Sequence, residues 1–252
     1  MGVNMNYKVL RNIEDHIELQ NSVALDMWPQ FMLEDPIADE HWWELFEYFP
    51  ECQFSLSYND EIIGIGNSIP FHWDRPFEEL PEKGWDWVFE KGLSDYKEGK
   101  KLNVLNGLQI VVSRNWLRKG VSTMILQEMA NIAVEKKLPF VTIPVRPSSK
   151  SNYPLISIDN YITWKREDGL LFDPWLRVHE RFGGKIIKPC HEAMYIPGTV
   201  SEWESWTGMK FPESGKYIIP EALNPVEFDV EKDIGIYIEP NVWILHEMKK
   251  FV

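Results

Sequence analysis

Hydrophobic positions along this chain recur with two periods, and each change of period marks a new element. Tyr7 to Ile13 reads as a strand, and Glu14 to Met27 as a helix with Ile17, Val23, Ala24 and Met27 on its apolar side. Pro29 and Glu34-Asp35-Pro36 break that helix, and Asp39 to Phe49 forms a second, aromatic-rich helical stretch. Gln53 to Tyr58 and Glu61 to Ile69 flank Asn59-Asp60 as a β-hairpin. Trp85 to Tyr96 follows as a helix, Lys101 to Val112 as a strand, Val121 to Lys136 as a helix and Phe140 to Val145 as a short apolar strand. In the helix from Val121, the residues Val121, Met124, Ile125, Met129, Ile132 and Ala133 share one face.

A long irregular segment, Arg146 to Leu171, comes next and holds Tyr153, Tyr161 and Trp164. Segments of this length without periodicity are usually functional or disordered, and the aromatics argue against disorder. Asp173 then caps a helix with Pro174 at its first position and Gly183 beyond its end. Lys185 to Lys188 and Ala193 to Ile196 can form the last hairpin of a core sheet. The division expected is a domain over 1–197 and an extension over 198–252, packed on it because Trp203, Trp206, Phe211, Tyr217 and Trp243 need burial.

The chemistry concentrates where the strand ending at Val112 runs through Leu117-Arg118-Lys119-Gly120 into a helix. The first turn of a helix has unpaired N–H groups at the positive end of its dipole, which makes it an anion site. Gly120 lets a phosphate approach the main chain, with Arg118 and Lys119 beside it. One glycine is too few for a Walker loop or a dinucleotide fingerprint.

Strand, basic loop, single glycine, helix: this series resembles motif A of the GNAT superfamily of acyl-CoA N-acyltransferases, whose loop reads [QR]-x-x-G-x-[GA]. The glycine, the preceding basic residue and a small residue two positions later match, while Leu117 and Ser122 depart from the pattern. The order of elements agrees with that topology, and the helix running into Gly183 resembles motif B. The resemblance implies a mixed α/β (α+β) fold with a mostly antiparallel sheet flanked by helices, here with a C-terminal extension. It implies acetyl-CoA or another short acyl-CoA as co-substrate and an amine of a small molecule or peptide as acceptor. The cofactor residues it points to are Ile110, Val111, Val112, Leu117, Arg118, Lys119, Gly120, Val121, Ser122 and Thr123, mostly through the backbone. Aligned on Gly183, His179 takes the place of the tyrosine that protonates the departing thiolate, with Tyr153 and Tyr161 as alternatives. The resemblance is also compatible with a homodimer.

Further polar residues could take part. Glu128 is expected on the polar side of its helix, and His72, Asp74 and Glu79 follow the hairpin, where the family often places substrate contacts. Arg146 could bind an acidic substrate group or pair with a carboxylate. Two rival readings are a non-catalytic acyl-CoA sensor, favoured by Leu117 and the missing motif B tyrosine, and a nucleotide-binding protein without coenzyme A.

Composition narrows the field. A net charge of -13 and no basic stripe argue against a nucleic-acid partner. Cys52 and Cys190 are too few and too far apart for a disulfide framework or a zinc site, so no metal is expected. Met1 to Arg11 lacks a signal-peptide core, and no apolar run reaches the length of a membrane span. The expectation is a cytoplasmic protein without a membrane partner.

Overall fold

A computed structural model describes residues 6–11, 13 and 15–248. Asn12, inside the first expected strand, and Glu14, the expected helix start, lie outside the described residues, as does the tail from residue 249. The elements in order are β1 (Lys8–Arg11), α1 (His16–Ala24), α2 (Pro36–His41), α3 (Glu44–Tyr48), β2 (Gln53–Tyr58), β3 (Glu61–Phe71), α4 (Gly84–Lys97), β4 (Val104–Val112), α5 (Val121–Glu135), β5 (Phe140–Val145), α6 (Ile158–Tyr161) and α7 (Pro174–Arg181). They continue through β6 (Lys185–Gly198), α8 (Val200–Thr207), β7 (Gly215–Tyr217), β8 (Val226–Asp229) and β9 (Ile234–Glu247). The stretch expected as one helix over Asp39 to Phe49 is split into α2 and α3. Asp35 caps α2, accepting from the Ala38 N–H at 2.9 Å.

One mixed sheet runs β1-β2-β3-β4-β5-β9-β8-β7, with β6 paired to β9. Among the described residues only β4 and β5 pair in parallel. The hairpin expected within 185–196 is not formed. Those residues make the single strand β6, which pairs with β9 from Lys185↔Leu245 to Gly198↔Gly235, with irregularities between Ile186 and Lys188 and between Cys190 and Met194. On its other edge β9 pairs with β5, from Phe140↔Glu247 to Val145↔Val242. The segment expected as an appended extension therefore supplies an interior strand. Its apolar residues explain that position: Tyr237, Val242 and Trp243 are fully buried, and Ile244 nearly so.

α5 packs on one face of the sheet, and α1 and α4 on the other. Gly64 and Gly66 let α5 come close, since a Cβ at Gly64 would stand 2.8 Å from Ile125 Cδ1. On the opposite face Ile65 and Val111 pack with Ala24 of α1. A buried polar chain ties α1 to the sheet. There the Asn67 amide donates to Gln20 Oε1 at 2.8 Å, and Gln20 lies 3.3 Å from His16 Nε2. α4 crosses that same face obliquely: its start touches Ala193 and Cys190 of β6 at Gly84, and its later turns touch Ile69 of β3 at Gly92. Among the described residues no helix is long and apolar enough to cross a membrane.

Candidate acyl-CoA site

The cleft begins where β4 and β5 part. They pair only at Val104↔Phe140, Leu105↔Val141 and Asn106↔Thr142, and diverge beyond. A polar clasp sits at the vertex: the Thr142 hydroxyl donates to Asn106 Oδ1 at 3.0 Å, and Asn106 Nδ2 donates to the Gly107 carbonyl at 3.1 Å. Past the vertex, β4 keeps β3 as a partner on one edge and presents its other edge to the cleft.

The alternation of ladder bonds decides which backbone groups face that cleft. Ser113 N–H donates to Ile63 O at 3.1 Å, so in the register that follows, Val111 faces Ile65 and Gln109 faces Asn67 through hydrogen-bonded pairs. Ile110 and Val112 consequently turn their N–H and C=O groups outward into the cleft. Of the three residues singled out from sequence, these two present their backbone there, whereas Val111 turns to β3 and buries its side chain. Between Asn67↔Gln109 and Ser68↔Gly107 the register slips and leaves Leu108 as a bulge. Sequence reasoning missed this bulge, although a glycine inside a strand, Gly107, is its usual signal.

At the outer end of β4 the chain makes a short 3₁₀ turn, Arg114–Trp116, and then enters α5. Arg118 has a φ of 62° and Gly120 a φ of 83°, so two left-handed residues curl the loop in front of the helix. Gly120 is the N-cap of α5 and brings no side-chain capping bond. The first-turn N–H groups at Val121 and Ser122 are thus left open. A Cβ at Gly120 would meet nothing within 4 Å, so this backbone is approachable. Leu117, Arg118, Lys119 and Thr123 are exposed, Ser122 is half-buried, and the Val121 side chain enters the core. Among the described residues Arg118 makes no ion pair. Trp116 anchors the loop by donating to Glu61 Oε1 at 2.9 Å and carries Lys119 Nζ 4.6 Å above its ring. No local pattern signals this anchor beyond the tryptophan itself.

The expected acid residues are dispersed. The N-terminus of α7 lies at the open end of the cleft, because Asp173 accepts from Ser149 N–H at 2.8 Å just beyond β5. The helix then runs back toward the closed end. His179 arrives there fully buried, 3.0 Å from Nε2 of His246, the β9 residue opposite Val141. Burial first, and then His246, hold its pKa well below the ordinary value. The residue expected for the thiolate acid therefore lies beside the closed end of the strand pair. Tyr161 is also committed, donating to Asp173 Oδ2 at 2.8 Å, and burial pushes its phenol pKa up. Tyr153 is half-buried against Trp164 at 4.9 Å in the loop that leaves the open end.

The remaining candidates are accounted for structurally. Glu128 is not solvent-facing: it is buried and bound by Arg11 and Asn131. Arg146 pairs with buried Glu239 at 2.9 Å, and Tyr237 donates to the same oxygen. His72, Asp74 and Glu79 line a separate depression of about 390 Å³ with Trp73 and Trp87, at the end of β3 away from the loop. Both thiols are buried and pushed up in pKa by desolvation, Cys52 to about 12, so neither is a ready nucleophile.

Comparisons with known proteins agree with this geometry. No family model matches the chain. It is 29% identical over 248 residues to the arginine N-acetyltransferase avaD of Aspergillus versicolor, covering 87% of this chain and 85% of that protein. In fold it is similar to the loading GNATL domain of CurA from Lyngbya majuscula, with a TM-score of 0.63, 20% identity, and 97% and 98% of the two chains covered. It is also similar to the GNAT-like decarboxylase GphF, solved with isobutyryl-CoA, with a TM-score of 0.56, 12% identity and coverage of 96% and 99%.

Proposed function

As the chain belongs to the GNAT superfamily of acyl-CoA N-acyltransferases, we propose that it moves an acetyl or similarly short acyl group from coenzyme A to the amine of a small cationic molecule of the arginine class. The observation that carries this reading is the splayed β4–β5 cleft running outward to an uncapped helix N-terminus at Gly120. The α5 N–H groups, Arg118 and Lys119 hold the pyrophosphate. Ile110 and Val112 offer backbone groups about 7 Å apart along the strand, the spacing at which an extended amide chain docks like an added strand.

The bound thioester supplies an activated carbonyl. The acceptor nitrogen, once neutral, forms the amide bond as the C–S bond breaks, and the thiolate takes up a proton. A cleft-facing N–H of β4 polarises the carbonyl oxygen, a contribution worth about 10²–10³ in rate. Tyr153, at the open end and free of an acid partner such as Asp173, is the residue we assign to the thiolate proton. The acceptor class rests on the relative's name and on the chain's charge of -13, which favours a cation. Leu117 does not count against activity, because its exposed side chain leaves the loop's backbone donors unchanged.

The test is incubation of the purified chain with acetyl-CoA and L-arginine, lysine or putrescine, following thiol release and product mass. Thiol release coupled to acetylation of an amine supports the reading. Tight coenzyme A binding with no transfer to any amine would return the chain to the non-catalytic class.

A further inference from the structure

We infer that Trp85, carried by the helix inserted between β3 and β4, closes the inner end of the cleft and limits the acyl group to a short chain. This inference rests on the acyl-CoA reading of the cleft and concerns only what lies at its inner end.

The cleft-facing backbone of β4 is ordered from outside inward as Val112, Ile110 and then the carbonyl of Leu108. That carbonyl faces the cleft for a covalent reason. It shares a planar trans peptide with the Gln109 N–H, which points to Asn67 on β3, so the C=O points the other way. In a continuous sheet an N–H of β5 would take it, but β5 has already turned away after Thr142. The Trp85 indole takes it instead, with Nε1 donating to Leu108 O at 2.8 Å. The indole thus stands on the cleft side of the strand, at the bulge, where the acyl end of a chain docked along Ile110 and Val112 arrives.

The ring has little freedom to leave. Trp85 is 8% exposed, stacked on Trp42 just past α2 with centroids 6.5 Å apart and edge-on to Phe89 at 5.4 Å. Behind it the Asn106–Thr142 clasp shuts the vertex. On the α5 side a Cβ at Gly107 would already touch Ile143 and Met129 at 3.0–3.2 Å, so no room opens there. A two-carbon acyl group fits in front of such a wall. Each further methylene must displace the indole or fold back, and forgoes the factor of about four that a methylene gains in an open apolar pocket.

Calorimetric titration with coenzyme A, acetyl-CoA and hexanoyl-CoA tests this without an acceptor. The wild type is expected to bind acetyl-CoA at least about tenfold more tightly than hexanoyl-CoA. In Trp85→Ala the preference should vanish or invert while unacylated coenzyme A binds as before. Trp85→Phe, which keeps a ring without the N–H, should retain most of the preference. Equal binding of the two acyl forms by the wild type overturns the inference and needs no variant to fold. So does a Trp85→Ala protein whose three affinities fall by one common factor, the mark of a purely structural residue. Wild type that fails to bind coenzyme A at all refutes the cleft reading itself, a result distinct from either.

Discussion

Gly120→Glu is the sharpest perturbation of the proposed pyrophosphate site. Gly120 adopts a φ of 83°, and a Cβ there meets nothing within 4 Å. The folding cost is therefore conformational only, about 1–2 kcal/mol for an L-residue held left-handed. For a chain of this size each kcal/mol lowers the melting temperature by about 2–4 °C, giving a fall of roughly 2–8 °C. The binding cost is larger. The carboxylate sits where the phosphate would meet the open N–H groups of Val121 and Ser122. Two charge-assisted hydrogen bonds at about 1.5–3 kcal/mol each give about 3–6 kcal/mol, or roughly 10²–10⁴ in affinity. Coenzyme A titration beside a thermal melt reads both quantities on one preparation. Unchanged affinity in a folded variant would refute the placement of the pyrophosphate at the α5 N-terminus.

Other outcomes follow from packing and charge. His179→Ala should cost about 2–4 kcal/mol of stability, as for other buried ring truncations, yet leave coenzyme A affinity intact; a drop in turnover with an unchanged melting temperature would restore it to catalysis. Arg146→Ala strands the buried Glu239 carboxylate and should cost about 3–5 kcal/mol, detected by denaturant unfolding. Asp35 and Asp86 face one another, and burial first raises both pKa values, with mutual repulsion adding to the rise at Asp86. The folded pair therefore holds protons that the unfolded chain has lost above about pH 4, so stability should fall as pH rises from there through neutrality. Asp86→Asn should flatten that slope, and parallel slopes would exclude the pair as its source. Residues 197–252 alone, and residues 1–197 alone, should each fail to melt cooperatively, since each lacks half of the β6–β9 pairing; a cooperative transition in either would separate the two segments.

Local signals along the chain were enough to place the Gly120 loop and the elements around it. β5 over Phe140–Val145, the start of α5 at Val121 and the Asp173 cap all lie where periodicity and capping residues put them, because each depends on neighbours within a turn or a strand. Gly120 could be singled out for the same reason: a lone glycine between a strand and a helix needs no distant partner to define its conformation. What tertiary structure decided is everything that depends on pairing at long range. β9 finds β6 across 35 intervening residues, and nothing in its apolar run distinguishes an interior strand from an appended one. His179 lies in the helix that Asp173 and Gly183 delimit, but only the direction in which α7 runs places it at the closed end of the cleft. Periodicity places Trp85 at the start of a helix, but its meeting with the Leu108 bulge required that inserted helix to cross the sheet, and no local pattern encodes that crossing.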